Sequence, residues 1–469
     1  MFTTVKFLFL FLPIAFSVYW CCRRGGAQLQ NVVLILASFM FYSLWDADAC
    51  GLLLAVALIS YLSGLGIDGM KRAGVLRGAL SLKIAVVILL SSVLLVFKYA
   101  NFFIEEACVL LRQLGVGAEP ASLNLLLPVG LSFYVFMAIS YVLDVASGKI
   151  AAERNVATFF AYMTFFPQLA SGPIGRGGMM IPQFCNVRTF DYVLAVDGCR
   201  QFLWGAFKKM AVADICSIGV NAIWQSYAQY TGATLVYVML IYAVQIYADF
   251  SGYSDMAIGV GKLFGIRMAN NFSYPYFATN IADFWRRWHV SLTSWFRDYV
   301  YIPLGGSRCS RTRHIVNTLI VFLVSGLWHG ASWTFVVWGL IHGLLFIPYI
   351  MTRGGNRIWA KLPNAFGWFL TMAGVVVAWV FFRAPSVGAA FDYLQAVQVS
   401  SLFAIPQAGV AALPWVLIML VVEWVNRKHE HGLEVSRLPA YARNIAYMAI
   451  GIACVASYKE TTEFIYFQF

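Results

Sequence analysis

The chain has 469 residues, of which 61% are hydrophobic and 12% charged, with a mean hydropathy of +0.74. A water-soluble globule of that length could not cover so much apolar surface, which excludes a soluble enzyme domain. The formal net charge of +12, from 33 basic and 21 acidic residues, is first a matter of membrane topology, in which basic loops stay cytoplasmic, and no nucleic-acid partner is implied.

Apolar runs of about 17–22 residues, the length that crosses a bilayer core, recur along the chain. Residues 3–20 form the first and end at Arg23-Arg24. No small-residue cleavage site follows, so this run reads as an anchor. Residues 31–45 return outward to Asp46 and Asp48. Residues 51–66 run inward to Lys71, Arg72, Arg77 and Lys83, and 84–97 outward to Glu105, Glu106 and Glu119. Residues 123–142 come back in to Lys149 and Arg154. The alternation of charge places the N-terminus outside.

Residues 159–174 contain Phe166-Pro167 and Gly172-Pro173. Proline removes a donor and clashes with the preceding turn, so a broken or re-entrant segment is expected. Irregular backbone at membrane depth is tolerated only where protein buries it or a cavity adjoins it. Residues 190–224 mix apolar side chains with Asp191, Asp197, Arg200, Lys208, Lys209 and Asp214, as a segment lying partly in the interface would. Residues 235–261 predict a long apolar helix with a polar insert from Asp249 to Asp255. That insert is either a helix end emerging into water or a polar patch inside a cavity.

Residues 282–301 predict a helix capped by Asn280, with Asp283 three positions on. Trp285, Trp288, Leu292, Trp295 and Phe296 recur at helical spacing, and His289 falls on that aromatic side. The basic loop after it carries Arg308, Arg311 and Arg313 beside Gly305-Gly306. Guanidinium groups can bind phosphates bidentately, although positive-inside topology alone would also produce such a loop. Runs at 315–328, 333–350, 365–382, 413–425 and 440–457 complete the spans, and 388–399 reads as a short interfacial helix. This charge pattern leaves the C-terminus outside.

Ser325-Gly326-Leu327-Trp328-His329-Gly330 joins two of these runs and sets His329, beside Trp328, at the deep end of a membrane helix. A titratable side chain at that depth is expensive and marks a functional site by default. The flanking glycines would leave room beside the ring. A histidine that only bonds a neighbouring helix is the structural alternative. His289, Asp249 and Asp255 add further costly polar groups, which suggests a polar cavity. The nine cysteines are scattered without a C-x-x-C pair, so neither a disulfide framework nor a metal site is inferred. His314, His429 and His431 fall in basic loops and receive no role. The organisation that follows is one all-α polytopic integral membrane domain over 1–469. It has N-terminal spans in 1–150, a core of broken helices and histidines in 155–350, and C-terminal spans with an extracytoplasmic tail in 365–469.

Several stretches together carry a family resemblance. They are Phe97-Lys98-Tyr99-Ala100-Asn101-Phe102, Pro128-Val129-Gly130-Leu131-Ser132-Phe133-Tyr134, Phe166-Pro167 through Gly172-Pro173, and Asp249 to Asp255. Phe284-Trp285-Arg286-Arg287-Trp288-His289, Gly326 to Ala331 and the final Phe-Ile-Tyr-Phe-Gln-Phe complete the set. The chain resembles the membrane-bound O-acyltransferases. Within them it is similar to the membrane component of bacterial exopolysaccharide O-acetylation systems, of the alginate or cellulose type.

The resemblance implies a ring of tilted helices around a thin centre, with a tunnel for an acyl thioester from the cytoplasmic face. It implies residence in the bacterial inner membrane and acetyl-CoA as a donor substrate, with no bound cofactor. It matches the family's essential histidine to His329 and its more variable polar position to His289. His329 would be the general base on a hydroxyl, and His289 or a nearby donor would orient substrate or stabilise the oxyanion. The loop with Arg308, Arg311 and Arg313 would hold the nucleotide phosphates.

The tail pattern F-x-Y-x-x-F is similar to the end of a small accessory peptide of teichoic acid D-alanylation. By that likeness Tyr466 would be an acyl relay to an extracytoplasmic, periplasmic acetyltransferase partner. An aromatic tail anchoring at the membrane–lipid interface is the plain alternative. D-alanyl transfer from a carrier-protein thioester, and a transporter or flippase without chemistry, are the competing functions. The chain lacks the long polar insertion near the C-terminus that some relatives carry, so the resemblance does not name the polysaccharide.

Overall fold

A computed structural model describes residues 2–117, 119, 123, 125–169, 172–352, 363–407, 409–435 and 437–459. Among them the regular structure is helical, without strands. Among the described residues, six helical stretches are long and apolar enough to cross a membrane: Phe7–Ser43, Ala49–Arg72, Leu76–Gln113, Gly232–Leu263, Trp333–Met351 and Asn364–Arg383. Leu131–Ser147, Val410–Val425 and Ala440–Ala456 are shorter apolar helices. The chain packs into two compact units, one of Met1–Val196 with Val260–Ala269 and one of Asp197–Gly259 with Asn270–Phe469.

The first unit holds α1 (Leu12–Cys21), α2 (Gly26–Ser43), α3 (Ala49–Arg72), α4 (Leu76–Leu94), α5 (Ala100–Gln113), α6 (Leu131–Ser147), α7 (Val156–Thr164), α8 (Phe166–Leu169) and α9 (Gly177–Cys185). Two of its elements differ from expectation. Leu95–Tyr99 forms a π-helical turn that carries α4 into α5, so Glu105 and Glu106 lie on a helix rather than in a loop. The run expected from 123 becomes helix only at Leu131, because Pro128 and a left-handed Gly130 (φ 73°) precede it.

The broken segment is present as expected. Phe165 leaves helical geometry at ψ 108° between α7 and α8, and 172–176 is non-helical. Protein groups take up the freed backbone. The Phe166 N–H donates to Ser38 Oγ (3.1 Å), the Tyr162 hydroxyl to the Gly175 carbonyl (3.1 Å), and the Gln168 amide to the Tyr162 carbonyl. This is how a bend survives where water does not reach.

The second unit is built around α10 (Tyr192–Phe207), α11 (Asp214–Gln225), α12 (Gly232–Leu263), α13 (Ile281–Arg287), α14 (Val290–Phe296), α15 (Arg311–His329), α16 (Trp333–Met351), α17 (Asn364–Arg383), α18 (Val387–Gln395), α19 (Leu413–Val425) and α20 (Ala440–Ala456). Short polar residues set the starts. Asn280 accepts from the Asp283 N–H (2.8 Å), Ser310 from Arg313 (3.3 Å), Ser332 from Thr334 (3.3 Å) and Ser386 from Ala389 (3.1 Å).

α15 and α16 form an antiparallel hairpin in which small residues let the backbones meet. A Cβ on Gly326 would run into the Phe335 carbonyl, and one on Gly339 into the Phe322 carbonyl. A Cβ on Gly330 would strike the Phe335 ring. Gly326 and Gly330 therefore do not leave free space beside His329. α16 fills it, as small residues at membrane helix contacts allow.

Lys208, Lys209 and Asp214 are buried in protein rather than set at an interface, whereas Asp191 is exposed and Asp197 and Arg200 are half-buried. α10 passes into α11 through a π-helical turn, Lys208–Ala213, whose side chains are buried. Lys209 Nζ lies 2.7 Å from Asp249 Oδ1 and 2.9 Å from Asp214 Oδ1. Lys208 Nζ lies 2.7 Å from Asp255 Oδ2 and 2.9 Å from Ser251 Oγ, with the Glu423 carboxylate at 3.8 Å. Each charge meets an opposite one, as burial at that depth requires.

Candidate functional site

His329 is the last residue of α15, and the chain turns at Gly330 into an extended conformation (φ −166°) before Ser332 starts α16. The imidazole is 4% exposed. Its ring meets Trp328 edge-on at 4.9 Å, Trp338 of α16 at 5.0 Å and Phe382 of α17 at 5.3 Å, centroid to centroid. Three helices thus fix one titratable ring in an aromatic box. Aromatic walls exclude water and strengthen any electrostatic contact the ring makes.

The continuous helix expected over 282–301 is interrupted. α13 ends at Arg287, and His289 takes a left-handed conformation (φ 44°, ψ 52°) before α14 begins at Val290. Asn271 supplies the reason. Its carbonyl accepts from the Val290 N–H (2.9 Å). Its side-chain Oδ1 meets His289 Nδ1 (3.0 Å), the Ser291 N–H (3.3 Å) and Ser291 Oγ (3.0 Å). These bonds replace the intrahelical ones that a continuous helix would make. Ser254 of α12 holds Asn271 in turn, at 3.2 Å from Nδ2. His289 is buried, packs edge-on against Phe250 at 4.6 Å, and faces Trp328 at 6.1 Å. One tryptophan therefore lies against both histidines singled out from sequence.

A cavity of about 830 Å³ opens alongside α15. Arg311, Arg286 and Arg297 line it, as do Trp285, Phe322 and Ser325. From Arg311 to Ser325 the helix rises about 21 Å, and His329 stands one turn farther on. Arg286 reaches the Tyr349 hydroxyl (3.5 Å) near the end of α16, beside the start of α15. The hydrogen bond from Arg297 Nε to Asp298 (2.8 Å) raises that guanidinium's pKa. The cavity is basic at the Arg311 end and aromatic toward His329. An anionic head group with an apolar or amide arm matches that order.

Of the arginines expected from sequence, only Arg311 lines this cavity. Arg308 is exposed, and Arg313 turns back to the Leu304 carbonyl (3.5 Å). Arg286, on α13, and Arg297, just after α14, line it as well. Asp249 and Asp255 face Lys209 and Lys208 and are absent from its lining. Tyr466 lies outside the described residues. His342 of α16 was missed inside the apolar run 333–350. The signal was present, since an ionisable residue in a membrane span is itself a marker.

Residues 150–388 match the family model MBOAT, membrane-bound O-acyltransferase family. The chain belongs to that family. It is a multi-pass membrane protein and an O-acyltransferase. It is 39% identical over 395 residues to a probable alginate O-acetylase of Azotobacter vinelandii, covering 83% of this chain and 76% of the relative. It is 32% identical over 429 residues to a peptidoglycan O-acetyltransferase of Helicobacter pylori, covering 84% and 79%. A teichoic acid D-alanyltransferase of Streptococcus thermophilus is 28% identical over 259 residues, covering 52% and 62%. Family membership makes the chain an enzyme and removes the reading of a transporter without chemistry.

Proposed function

We propose that this O-acyltransferase takes acetyl from cytoplasmic acetyl-CoA and passes it across the inner membrane for O-acetylation of an exported polysaccharide. The observation that carries the reading is the cavity along α15, basic at Arg311 and ending at Ser325, one turn short of His329. Nucleotide phosphates suit the arginine end, and the pantetheine arm suits the apolar length. The similarity to alginate O-acetylases favours an exopolysaccharide acceptor of the alginate type over cellulose. A periplasmic acetyltransferase is the partner that delivers the group, with both termini on its side of the membrane.

His329 is the general base. It takes the proton of an attacking hydroxyl as that oxygen forms a bond to the thioester carbonyl carbon. The tetrahedral adduct then collapses, the carbon–sulfur bond breaks, and the departing thiolate recovers the proton from the imidazolium. Base assistance of this kind is worth roughly 10²–10⁴ in rate. Tyr466 is the first hydroxyl to react and becomes an acetyl ester that the partner consumes. A phenol with a pKa near about 10 makes that ester a good donor. His289, held by Asn271 against the same tryptophan as His329, orients the acceptor.

The test uses the purified full chain with isotopically labelled acetyl-CoA and mass analysis of the C-terminal peptide. Label on Tyr466 is expected in the wild type and absent from His329→Ala and Tyr466→Phe. Turnover that needs His329 but leaves the tail unlabelled refutes the relay alone. Turnover only with a carrier-protein thioester would replace this reading by D-alanyl-type transfer, the activity named for the Streptococcus relative.

A further inference from the structure

His342 is fully buried on α16. Its ring lies 4.8 Å from Trp338, 5.0 Å from Trp285, 6.1 Å from Phe322 and 6.3 Å from Trp379. Neither of its nitrogens has a hydrogen-bond partner among the described residues, and the same is true of the indole nitrogens of Trp285 and Trp338. Each such buried group carries an uncompensated desolvation penalty. A phenylalanine or leucine would fill the same volume without it. Unsatisfied buried polar atoms in a native fold call for a ligand, water or catalytic role.

Position says which. Trp285 and Phe322 line the cavity and also pack on His342, so one layer of rings separates the imidazole from the cavity. Trp338, which also touches Trp285 at 5.9 Å, bridges His342 to His329, with centroids 4.8 and 5.0 Å from the two rings. His342 therefore stands behind one layer of the cavity wall and across one indole from the proposed base. A carbonyl oxygen, which only accepts, is the partner that an imidazole N–H lacks.

Resting on the donor route proposed above, we infer that His342 donates a ring N–H to the carbonyl oxygen of the acyl thioester when the donor displaces the ring layer at Trp285 and Phe322. His329 then acts on the attacking hydroxyl while His342 acts on the carbonyl oxygen. As the new carbon–oxygen bond forms, negative charge gathers on that oxygen and the hydrogen bond strengthens. His342 keeps its proton throughout, so no further co-reactant is needed.

The experiment compares binding of acetyl-CoA and of S-ethyl-CoA, a thioether without the carbonyl oxygen, to the full chain in lipid nanodiscs. Wild type is expected to prefer acetyl-CoA by roughly threefold to tenfold, the size of one net hydrogen bond. His342→Phe should lose that preference by weakening acetyl-CoA alone, and His342→Gln, which keeps an N–H, should retain part of it. If His342→Phe does not fold, His342→Met also fills the space without a donor and serves the same comparison. A preference that survives these changes, equal weakening of both ligands, or no preference in the wild type overturns the inference while leaving the donor route intact. Wild type that binds neither ligand overturns the donor route, and the inference with it.

Discussion

Replacing Gly326 by alanine tests whether the backbone contact between α15 and α16 is what holds His329 in place. A Cβ there would stand 3.0 Å from the Phe335 carbonyl carbon, nearer still to its oxygen, and 3.5 Å from the Gly339 Cα. Those atoms are main chain and cannot swing aside, so the two helices must part. Overpacking costs roughly 1–3 kcal/mol, and a backbone contact belongs at the upper end. The better helix propensity of alanine returns about 1 kcal/mol, leaving a loss of about 2 kcal/mol. With an unfolding entropy of about 2.1 cal/mol/K per residue over the 469 residues, that is a fall of about 2 °C in melting temperature. Tryptophan fluorescence of purified protein, heated at one scan rate, reads it. Gly51→Ala is the control, because a Cβ on that α3 glycine meets nothing within 4 Å. It should leave the melting temperature unchanged or slightly raised. A Gly326→Ala protein that melts with the wild type, or a Gly51→Ala protein that falls as far, would refute the reasoning.

Other consequences follow from the site. His329→Gln should lower acyl transfer roughly 10²–10⁴-fold with acetyl-CoA binding retained; transfer within a few-fold of wild type would reduce His329 to packing. Arg311→Ala should raise KM for acetyl-CoA and weaken its dependence on ionic strength, with kcat little changed, whereas Arg308→Ala should do neither. Lys209→Met leaves Asp249 and Asp214 buried without their cation. It should destabilise the fold by about 3–5 kcal/mol, read as loss of folded, monodisperse protein, with partial recovery when Asp249→Asn is added.

How far the sequence could be read depends on where each constraint acts. The apolar helices were legible because run length is local. The broken segment at Phe166 to Pro173 was legible because proline acts on its own turn. The break at His289 was not, since Trp285, Trp288, Leu292 and Trp295 keep helical spacing straight through it. Its cause is Asn271, 18 residues upstream, acting through a tertiary hydrogen bond. The interior placing of Lys208 and Lys209 was hidden for the same reason, because Asp249, Asp255 and Glu423 reach them from α12 and α19. His329 stood out beside its glycines, but what the glycines do, admitting α16, follows only from packing. His342 was concealed by its apolar neighbours.

One helix carries both the basic mouth of the cavity, at Arg311, and the imidazole of His329. Eighteen residues of α-helix set these about 27 Å apart. In the proposed reaction α15 is a measuring rod. A thioester reacts only if its flexible arm spans that length with the head group still held at Arg311. A donor with a shorter arm would stop below the imidazole however well its acyl group fitted. Selectivity among donors would then be a matter of reach before it is one of shape.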